Sequence, residues 1–496
     1  YDWIKSCYRW WLDSTLNMVI FIPVNQGFAY RYFLQTKIFL SLQKNAKKIV
    51  IFVPSPDDSF YDTLRNYPNV ILEDYESFKY DNYLNHSKFQ KALIYIRSAV
   101  QNESFDITTT KEIYESNLND ILRVFGNKPS LFLSDVIIKL ARKSYFLRKA
   151  LFMLENNLFH PKIHNKYFIK YRPDILLVSS VGTFHYDQYF MRQAKAFGAK
   201  VVTSVLSWDN TTTRGAPGAF SDLIISWTSE MKRELVELND IKQKTVEVGG
   251  VAHYDYYFDN KFIWSRKELL NYFDISAQKK IILFATKSPN CYSNGFIAEM
   301  IAKAIFNDEL SGDCILLIRL HPIYYRKIGS KLVFQDQLNE IQKIASKYEN
   351  VIINEPYIET NVMNYSMPDK EIKLLGSLLK HSSVMVNMFS TLNIEASIFD
   401  TPIVNISFED KVNLEQRKKA RFDINLDLRQ THNQRIVNSN GVTMVYESSK
   451  LIDAINTNLI DPNQLSKGRK KIVEAEVGPY QGAAGKRIAN LIMGQD

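Results

Sequence analysis

Short apolar runs alternate with longer amphipathic stretches along most of the chain. The short runs have the length of buried strands, and the longer stretches repeat their apolar residues at helical spacing. Strands that alternate with helices indicate a mostly parallel sheet with helices on both faces. One such series begins with a strand at 18–24, and a second begins at 280–284. The pattern therefore predicts an α/β protein with two Rossmann-like domains that face each other across a cleft.

The predicted elements also indicate domain boundaries. The predicted strands lie at 18–24, 48–53, 173–179, 200–205, 222–226 and 246–248 in the first series, and at 280–284, 314–320, 351–353, 384–389 and 403–406 in the second. A helix-rich stretch from about 60 to 165 is interpreted as an insertion in the first domain. Helices are predicted at 28–42, 88–100, 110–125 and 129–157. We expect an N-terminal domain at 1–265, a C-terminal domain at 266–460 and closing helices at 461–496.

Length and cysteine usage narrow the class of protein. The chain has 496 residues, of which 46% are hydrophobic, so it can bury a large core. No apolar run approaches the roughly 20 residues that a membrane-spanning helix needs. The three cysteines, Cys7, Cys291 and Cys314, form no CxxC pair. We therefore expect neither disulfides nor a structural zinc site, and we expect a cytoplasmic location.

The charge of the chain favours anionic partners. The formal net charge is +9, which suits nucleotides or the inner face of a membrane. Basic residues are spread along the chain and no nucleic-acid motif is present, so no nucleic acid partner is expected. An amphipathic helix is predicted at 1–15, where packing on the first domain is the expected role and peripheral membrane contact is the alternative.

The segment from His381 to Val404 carries the most specific signal. Its strand is followed at once by Ser390 and Thr391 and then by a predicted helix at 393–399. A helix that begins directly after a strand presents unpaired N–H groups and a positive dipole end, which bind anions. Glu395, about one turn further on, would accept hydrogen bonds from sugar hydroxyls. The layout fits a nucleotide diphosphate with its ribose; the alternative is a capping Ser390 and a solvated Glu395.

Two more loops of the second series would lie beside that turn. Lys287 and Ser288 follow the strand at 280–284, while Arg319 and His321 lie at the end of the strand at 314–320. Because parallel strands end at the same edge of a sheet, these side chains would converge as donors to phosphate. We expect His321 to contribute a charge-assisted hydrogen bond; a purely structural histidine is the alternative.

The order of these segments resembles the C-terminal donor-binding domain of GT-B glycosyltransferases. The resemblance rests on a strand followed by TKS, a strand followed by RLHP, and the stretch LLKHSSVMVNMFSTLNIEASIFDTPIV. It covers roughly residues 170–410 and includes the segments SWDN at 207–210 and VGGVAHYD at 248–255. The most similar branch comprises bacterial surface-polysaccharide enzymes and CDP-glycerol glycerophosphotransferase-like enzymes.

The resemblance implies transfer of a sugar from a nucleotide-activated donor to a glycan or lipid-linked acceptor. His321, Ser390 and Thr391 would hold the donor phosphates, and Glu395 would hold the ribose. Such a transfer is expected to invert the configuration at the anomeric carbon of the sugar. It is also expected to need neither metal nor cofactor, because basic groups and the helix end stabilise the departing diphosphate. The alternatives are a CDP-glycerol-type glycerophosphotransferase, a nucleotide-sugar 2-epimerase and a non-catalytic scaffold of the same fold.

An inverting transfer also needs a general base for the acceptor hydroxyl. The first candidate is Asp209, which follows the strand at 200–205; its alternative role is a helix cap. His185, after the strand at 173–179, titrates near neutral pH and is the second candidate. Asp57 and Asp58, after the strand at 48–53, are the others.

Two residues of the first series are candidates for acceptor contacts. Trp208 adjoins Asp209, and its ring would stack on a sugar. Gly27 lies in the loop after the first strand, where the absence of a side chain lets the backbone approach a ligand closely; a simple turn is the alternative.

Overall fold

The computed structural model of the chain describes residues 17–104, 126, 128–183, 186–328, 330–357, 362–363, 366–409 and 424–495. These residues divide between two units. Unit one spans Tyr1–Asp255, Thr360–Ser366 and Gly478–Asp496, and unit two spans Tyr256–Glu359 and Met367–Val477. The helices predicted at 1–15 and 110–125 and the side chain of His185 lie outside the described residues.

Unit one is built on a parallel sheet with the strand order β3-β2-β1-β4-β5-β6-β7. Its strands are β1 Val19–Pro23, β2 Lys48–Val53, β3 Val70–Asp74, β4 Ile175–Val178, β5 Lys200–Ser204, β6 Leu223–Ser226 and β7 Val246–Val248. The central strands are apolar along nearly their whole length because helices cover both faces of the sheet. In register, Ile20 lies between Ile49 and Ile175.

The helices of unit one are, in chain order, α1 Gly27–Leu34, α2 Lys37–Asn45, α3 Asp62–Arg65, α4 Ser77–Asn85, α5 Lys88–Ser98, α6 Lys128–Lys143, α7 Tyr145–Leu158, α8 Asn165–Tyr171, α9 Asp187–Ala196, α10 Asn210–Thr213 and α11 Ser229–Asn239. Short 3-10 turns lie at Ser59–Tyr61, Gln243–Thr245 and Ala252–Phe258.

Two helices that were predicted as continuous are each divided by a hydroxyl residue. The predicted helix at 28–42 breaks at Thr36, whose backbone is extended and whose hydroxyl accepts from the Ile38 N–H at 3.3 Å. The predicted helix at 129–157 breaks at Ser144, which accepts from the Leu147 N–H at 3.4 Å. In both cases a side-chain acceptor starts a second helix, an outcome that hydrophobic spacing does not report.

Strand β3 lies in the part of the sequence interpreted as helical, so that interpretation is wrong at Val70–Asp74. The strand is half-buried and pairs only with β2 within the described residues, where Ile71 aligns with Val50. An edge strand with a short apolar run gives a weak sequence signal, and its pairing with β2 is what establishes it.

Unit two is built on a parallel sheet with the order β12-β9-β8-β13-β14-β15. Its strands are β8 Lys280–Ala285, β9 Cys314–Arg319, β12 Val351–Asn354, β13 Val384–Asn387, β14 Ile403–Ile406 and β15 Thr443–Val445, and a small antiparallel pair consists of β10 Lys327–Ile328 and β11 Lys331–Leu332. The edge strand β15 was not predicted, and three residues are too few to show a period.

The helices of unit two are α12 Arg266–Tyr272, α13 Ser293–Phe306, α14 Gln335–Lys347, α15 Asp369–His381, α16 Leu392–Ile398, α17 Ile424–Arg429, α18 Thr431–Asn438, α19 Leu451–Ile460 and α20 Ser466–Glu476, with 3-10 turns at Pro322–Tyr325 and Ser448–Lys450. The core of the unit is formed by the inward faces of α13, α14 and α19 against β8, β9 and β13.

The last helix, α21 Ala484–Met493, returns to unit one and packs against α2. The buried carboxylate of Asp255 accepts the backbone N–H groups of Ala484 at 3.0 Å and Gly485 at 2.8 Å, which satisfies two donors at the start of that helix. A Cβ at position 485 would lie 2.8 Å from the Cβ of Lys37, so glycine permits this close approach. Helix α20, in contrast, belongs to unit two.

We predict that Asp255→Ala loosens α21 selectively. The substitution leaves two buried N–H groups without their acceptor, which is expected to cost about 1–2 kcal/mol of local stability. Hydrogen exchange of the amides at 484–493 should accelerate by about tenfold or more, while the amides of β8 and β9 stay unchanged. Asp255→Asn, which keeps one acceptor oxygen, serves as the matched control and should show a smaller effect. Uniform acceleration across both units would contradict this role.

Candidate functional site

Three loops meet at the carboxyl edge of the second sheet, after the neighbouring strands β8, β9 and β13. Thr286 ties the first two loops together: its N–H donates to the Arg319 carbonyl at 3.0 Å, and its hydroxyl accepts the His321 N–H at 2.9 Å. Lys287 ties the first loop to the third, because its Nζ donates to the Phe389 carbonyl at 3.3 Å. The structure thus brings the segments of Lys287, His321 and Ser390 together.

Asn294 fixes the loop that carries Lys287 and Ser288. Its side-chain oxygen accepts the Lys287 N–H at 3.2 Å, and its Nδ2 donates to the Lys287 carbonyl at 3.1 Å and to the Tyr324 hydroxyl at 3.0 Å. The carbonyl of Ser288 also accepts the Cys291 N–H at 2.9 Å. Asn294 is buried at the start of α13. Sequence reasoning missed this residue, because an asparagine near a helix start carries no signal of what it contacts.

The ammonium group of Lys287 forms an ion pair with Asp427 on α17. Burial lowers the pKa of Lys287 to about 8, and the nearby Cys291 acts in the opposite direction. Lys287 is therefore a cation in a partly enclosed position. A phosphate that binds here would compete with Asp427 for it. Asp427 follows a stretch of sequence rich in charged residues, and nothing in the sequence singled it out.

His321 is held as a neutral donor. Its Nδ1 accepts the Ile323 N–H at 3.2 Å, so the neutral ring carries its proton on Nε2. Burial lowers the pKa of His321 to about 4, and the nearby charges of Lys287 and Arg319 act in the same direction. A hydrogen bond from this neutral ring to an anionic phosphate is still charge-assisted through the acceptor, so the expected contact of His321 with phosphate stays a prediction. A neutral N–H donor remains.

Arg319 is engaged inside unit two. Its Nη1 donates to the Asn354 side chain at 2.6 Å and forms an ion pair with the buried Glu371. These contacts join the end of β9 to β12 and to α15. A phosphate contact from Arg319 stays a prediction, and it would require the guanidinium to leave Glu371.

Side-chain oxygens accept the backbone N–H groups of the turn between β13 and α16. Ser390 Oγ accepts the Leu392 N–H at 3.2 Å, while the Thr391 side chain does not cap the helix. Three buried asparagines, Asn387, Asn393 and Asn405, lie beneath the turn and bond to one another; Asn405 Oδ1 also accepts the Phe389 N–H at 3.1 Å.

Glu395 lies inside this part of the fold, 5% exposed, and its Oε2 accepts the Tyr257 hydroxyl at 2.5 Å. The alternative of a solvated carboxylate is therefore wrong. Tyr257 belongs to the turn at Ala252–Phe258 and lies in the same unit as Glu395. A contact of Glu395 with a ribose stays a prediction.

In unit one, Asp209 precedes the short helix α10. Its carboxylate accepts the Ser207 hydroxyl at 2.5 Å and, more weakly, the Thr213 hydroxyl at 3.3 Å. Its backbone carbonyl accepts the Thr213 hydroxyl at 2.8 Å. The Asp209 side chain accepts no backbone N–H of α10, so the capping alternative is not confirmed, and the role of a base stays a prediction. Trp208 is 4% exposed, so in this conformation its ring lies inside unit one rather than at a sugar-stacking surface.

The remaining candidates of unit one differ in exposure. Asp57 is exposed, and Asp58 accepts the Phe60 N–H at 2.8 Å as the cap of a 3-10 turn. Gly27 is buried as the first residue of α1. His185 lies outside the described residues.

Asp187 is a candidate base that the sequence reasoning missed. It follows β4 at the start of α9, is buried, and accepts the hydroxyls of Ser179 at 3.0 Å and Ser180 at 2.9 Å. Burial raises the pKa of Asp187 to about 7, although the two serine hydrogen bonds act against the shift. A carboxyl group that titrates near neutrality at a strand end suits proton transfer. The sequence feature that could have identified Asp187 is its position shortly after the segment SSVG at 179–182.

The described residues contain neither a metal-binding cluster nor a membrane-spanning helix. Within them, no group of three or more His, Cys, Asp and Glu side chains is placed to hold a metal ion. None of the helices in the described part of the chain combines the length and the apolar character needed to cross a membrane.

Comparisons with known proteins agree on the fold. Neither a family model nor a curated protein matches the chain. The UDP-GlcNAc 2-epimerase from Neisseria meningitidis, solved with UDP-GlcNAc, is 14% identical, with 96% of this chain and 100% of that chain covered and a TM-score of 0.50. A Listeria monocytogenes protein assigned as a UDP-N-acetylglucosamine 2-epimerase is 11% identical, with 95% and 94% covered and a TM-score of 0.50. At such identities the likeness shows the fold alone, and it confirms the predicted GT-B fold with two α/β domains.

We predict that the His321 ring stays neutral from about pH 5 to pH 8. Its pKa of about 4 lies below that of an unfolded histidine, near 6.5. The neutral ring therefore contributes its full stability above about pH 6.5, and this contribution is lost as the pH falls toward 4. An NMR titration of the histidine ring protons, with His321→Gln to identify the resonance, should show a midpoint near 4. A midpoint near 6.5 would contradict the burial argument.

Proposed function

We propose that the chain is a glycosyltransferase that moves a sugar from a nucleotide-activated donor to a glycan or lipid-linked acceptor. One observation carries the proposal: the loops after β8, β9 and β13 are tied into a single edge where Lys287 and His321 both supply N–H donors. Ligands of open α/β sheets bind at the carboxyl ends of strands, so this edge is the expected place for the donor. The GT-B fold agrees with that reading.

The donor diphosphate would contact Lys287 and the Nε2–H of His321, with the hydroxyls of Ser390 and Thr391 beside them. Helix α16 has only seven residues, so the two side chains are expected to contribute more than the helix dipole. As the sugar leaves the diphosphate, negative charge grows on the bridging oxygen, and an ammonium group placed there stabilises it without a metal ion. Glu395 would hold the ribose after release from Tyr257.

Unit one would provide the general base. Asp209 is the first candidate, since its carboxylate is partly exposed and is already oriented by Ser207. Asp187 is the second, because its pKa of about 7 lets it both accept and release a proton near neutral pH. Transfer with inversion is the reaction that a single such base supports.

The first test is a thermal-shift screen of the full chain against UDP, GDP, CDP, CMP and ADP and their sugars. A nucleotide at about 100 times its dissociation constant adds roughly 2.7 kcal/mol to the stability, which is readily seen. We predict that His321→Ala weakens binding of the selected nucleotide by about 1.5–3 kcal/mol, because a hydrogen bond to an anionic phosphate is lost. Lys287→Met should weaken it by about 1.5–3 kcal/mol, because a charged donor is lost.

Lys347→Met is the matched control, since Lys347 is an exposed lysine of the same unit on α14. It should leave the affinity unchanged. If Lys287→Met binds every nucleotide as the unaltered chain does, the proposed donor site is wrong. No shift with any nucleotide would favour the non-catalytic alternative instead.

With the donor identified, we predict that Asp209→Asn lowers turnover by about 10² to 10⁴ while donor affinity stays nearly constant. The amide cannot accept the proton of the acceptor hydroxyl, but it keeps the size of the carboxylate. Turnover is measured as release of the nucleoside diphosphate in the presence of acceptor. Asp453→Asn is the control, because Asp453 is an exposed aspartate outside the candidate site, and it should behave as the unaltered chain does. Full activity of Asp209→Asn would remove Asp209 as the base and leave Asp187, His185, Asp57 and Asp58 to be tested in the same way.

A further inference from the structure

Helix α7 buries three polar residues and exposes several large apolar ones, while Leu151 packs partly buried against the core. Arg148, Glu155 and Asn156 are buried. The opposite side bears Phe146, which is 81% exposed, and Leu154, which is 40% exposed. A surface helix normally has the reverse arrangement, with its apolar stripe toward the core.

The buried polar side chains of α7 have partners, so the inward orientation of the helix is stable. Arg148 forms a two-pronged contact with Asp240, at 2.5 Å and 2.9 Å, and donates to the Arg142 carbonyl at 2.8 Å. Glu155 accepts from Arg97 at 2.7 Å and from Arg192 at 3.0 Å. Rotating α7 to bury its apolar side would break these pairs, which costs far more than the exposure of a few leucines.

The neighbouring helix α6 extends the exposed apolar surface. It contacts α7, and both helices pack on α5, toward which α6 turns Ile138 and Ala141. The other side of α6 exposes Phe132, at 70%, together with Leu133 and Leu140. We call the exposed set the α6–α7 apolar face; it consists of Phe132, Leu133, Leu140, Phe146, Leu147 and Leu154. An apolar surface of this kind marks an interaction site.

The lysines beside the α6–α7 apolar face favour an anionic partner. Lys139, Lys143 and Lys149 are exposed on the same two helices. Lys139 pairs with Asp135 at 2.8 Å and Lys143 lies 3.9 Å from Glu103, and both are surface pairs that contribute little. If a second copy covered this face through a two-fold axis, the same lysines would be brought toward one another. An anionic lipid surface is complementary to both the lysines and the apolar side chains.

We propose that the α6–α7 apolar face docks on an anionic lipid bilayer. Phe132, Phe146 and the leucines enter the boundary between headgroups and acyl chains, while the lysines stay at the headgroup level. The proposal concerns unit one alone and does not depend on the transferase reaction. It also differs from the membrane contact considered for residues 1–15, which lie outside the described residues.

The test is flotation of the full chain with vesicles of phosphatidylcholine alone or mixed with phosphatidylglycerol. We expect binding to the mixed vesicles that weakens as salt is raised. The double variant Phe146→Gln/Leu154→Gln should lower the vesicle affinity by about tenfold or more. Lys139→Gln and Lys149→Gln should each lower it by about fivefold at low salt.

Phe78→Gln is the matched apolar control, because Phe78 is 75% exposed on α4 of the same unit, and it should bind as the unaltered chain does. Lys347→Gln is the matched charge control. The thermal midpoint of each variant is measured, since the face is exposed and its substitution should leave the midpoint unchanged.

Three results would overturn the proposal. The first is no binding to vesicles that contain phosphatidylglycerol. The second is equal binding by the unaltered chain and by Phe146→Gln/Leu154→Gln, or a fall in thermal midpoint that shows the face to be covered within the chain. The third is a dimer in solution that this double variant converts to a monomer, because a second copy would then cover the face.

Discussion

The parallel register of β13, β8 and β9 is the constraint on which the candidate donor site depends. Phe284 pairs with Val386 on one side and with Ile318 on the other, so the three strands end at nearly the same level. Each following loop then begins next to the other two, and short contacts such as the hydrogen bond from the His321 N–H to Thr286 become possible. A shift of one strand by one residue would separate these groups. It would also move the side chains of that strand to the other face of the sheet.

Buried polar side chains hold the loops that follow the strands in place. In unit two, Asn294 and the asparagine cluster beneath Ser390 satisfy loop amides that would otherwise be buried without partners. In unit one, Glu155 lies between Arg97 and Arg192 and accepts a hydrogen bond from each. Arg192 also donates to the backbone carbonyl of Gly218 at 2.7 Å. Such networks are costly to break once one member is removed, so they hold each loop or helix in one arrangement.

The buried ion pairs of Glu155 with Arg97 and Arg192 also determine which side of α7 is exposed. Since Arg148 and Glu155 of α7 are turned inward, Phe146, Leu147 and Leu154 lie on the outer side of the helix. The exposed apolar face is therefore a product of the polar interior and not an isolated defect of the surface. The proposed donor site lies in unit two, and the lysine-flanked apolar face lies in unit one.

The sequence by itself determined the α/β class and most of the strands, because the buried strands at 48–53, 280–284 and 314–320 are apolar runs bounded by polar residues. It also identified the three loops of unit two. It did not reveal β3, the breaks at Thr36 and Ser144, or the return of α21 to unit one, since each depends on a partner far away or on a single hydroxyl. Only the tertiary structure decided that His321 is neutral, that Arg319 and Glu395 are engaged with buried partners, and that Asp187 titrates near neutrality. Protonation and pairing depend on burial and on neighbouring charges, which the order of residues does not specify.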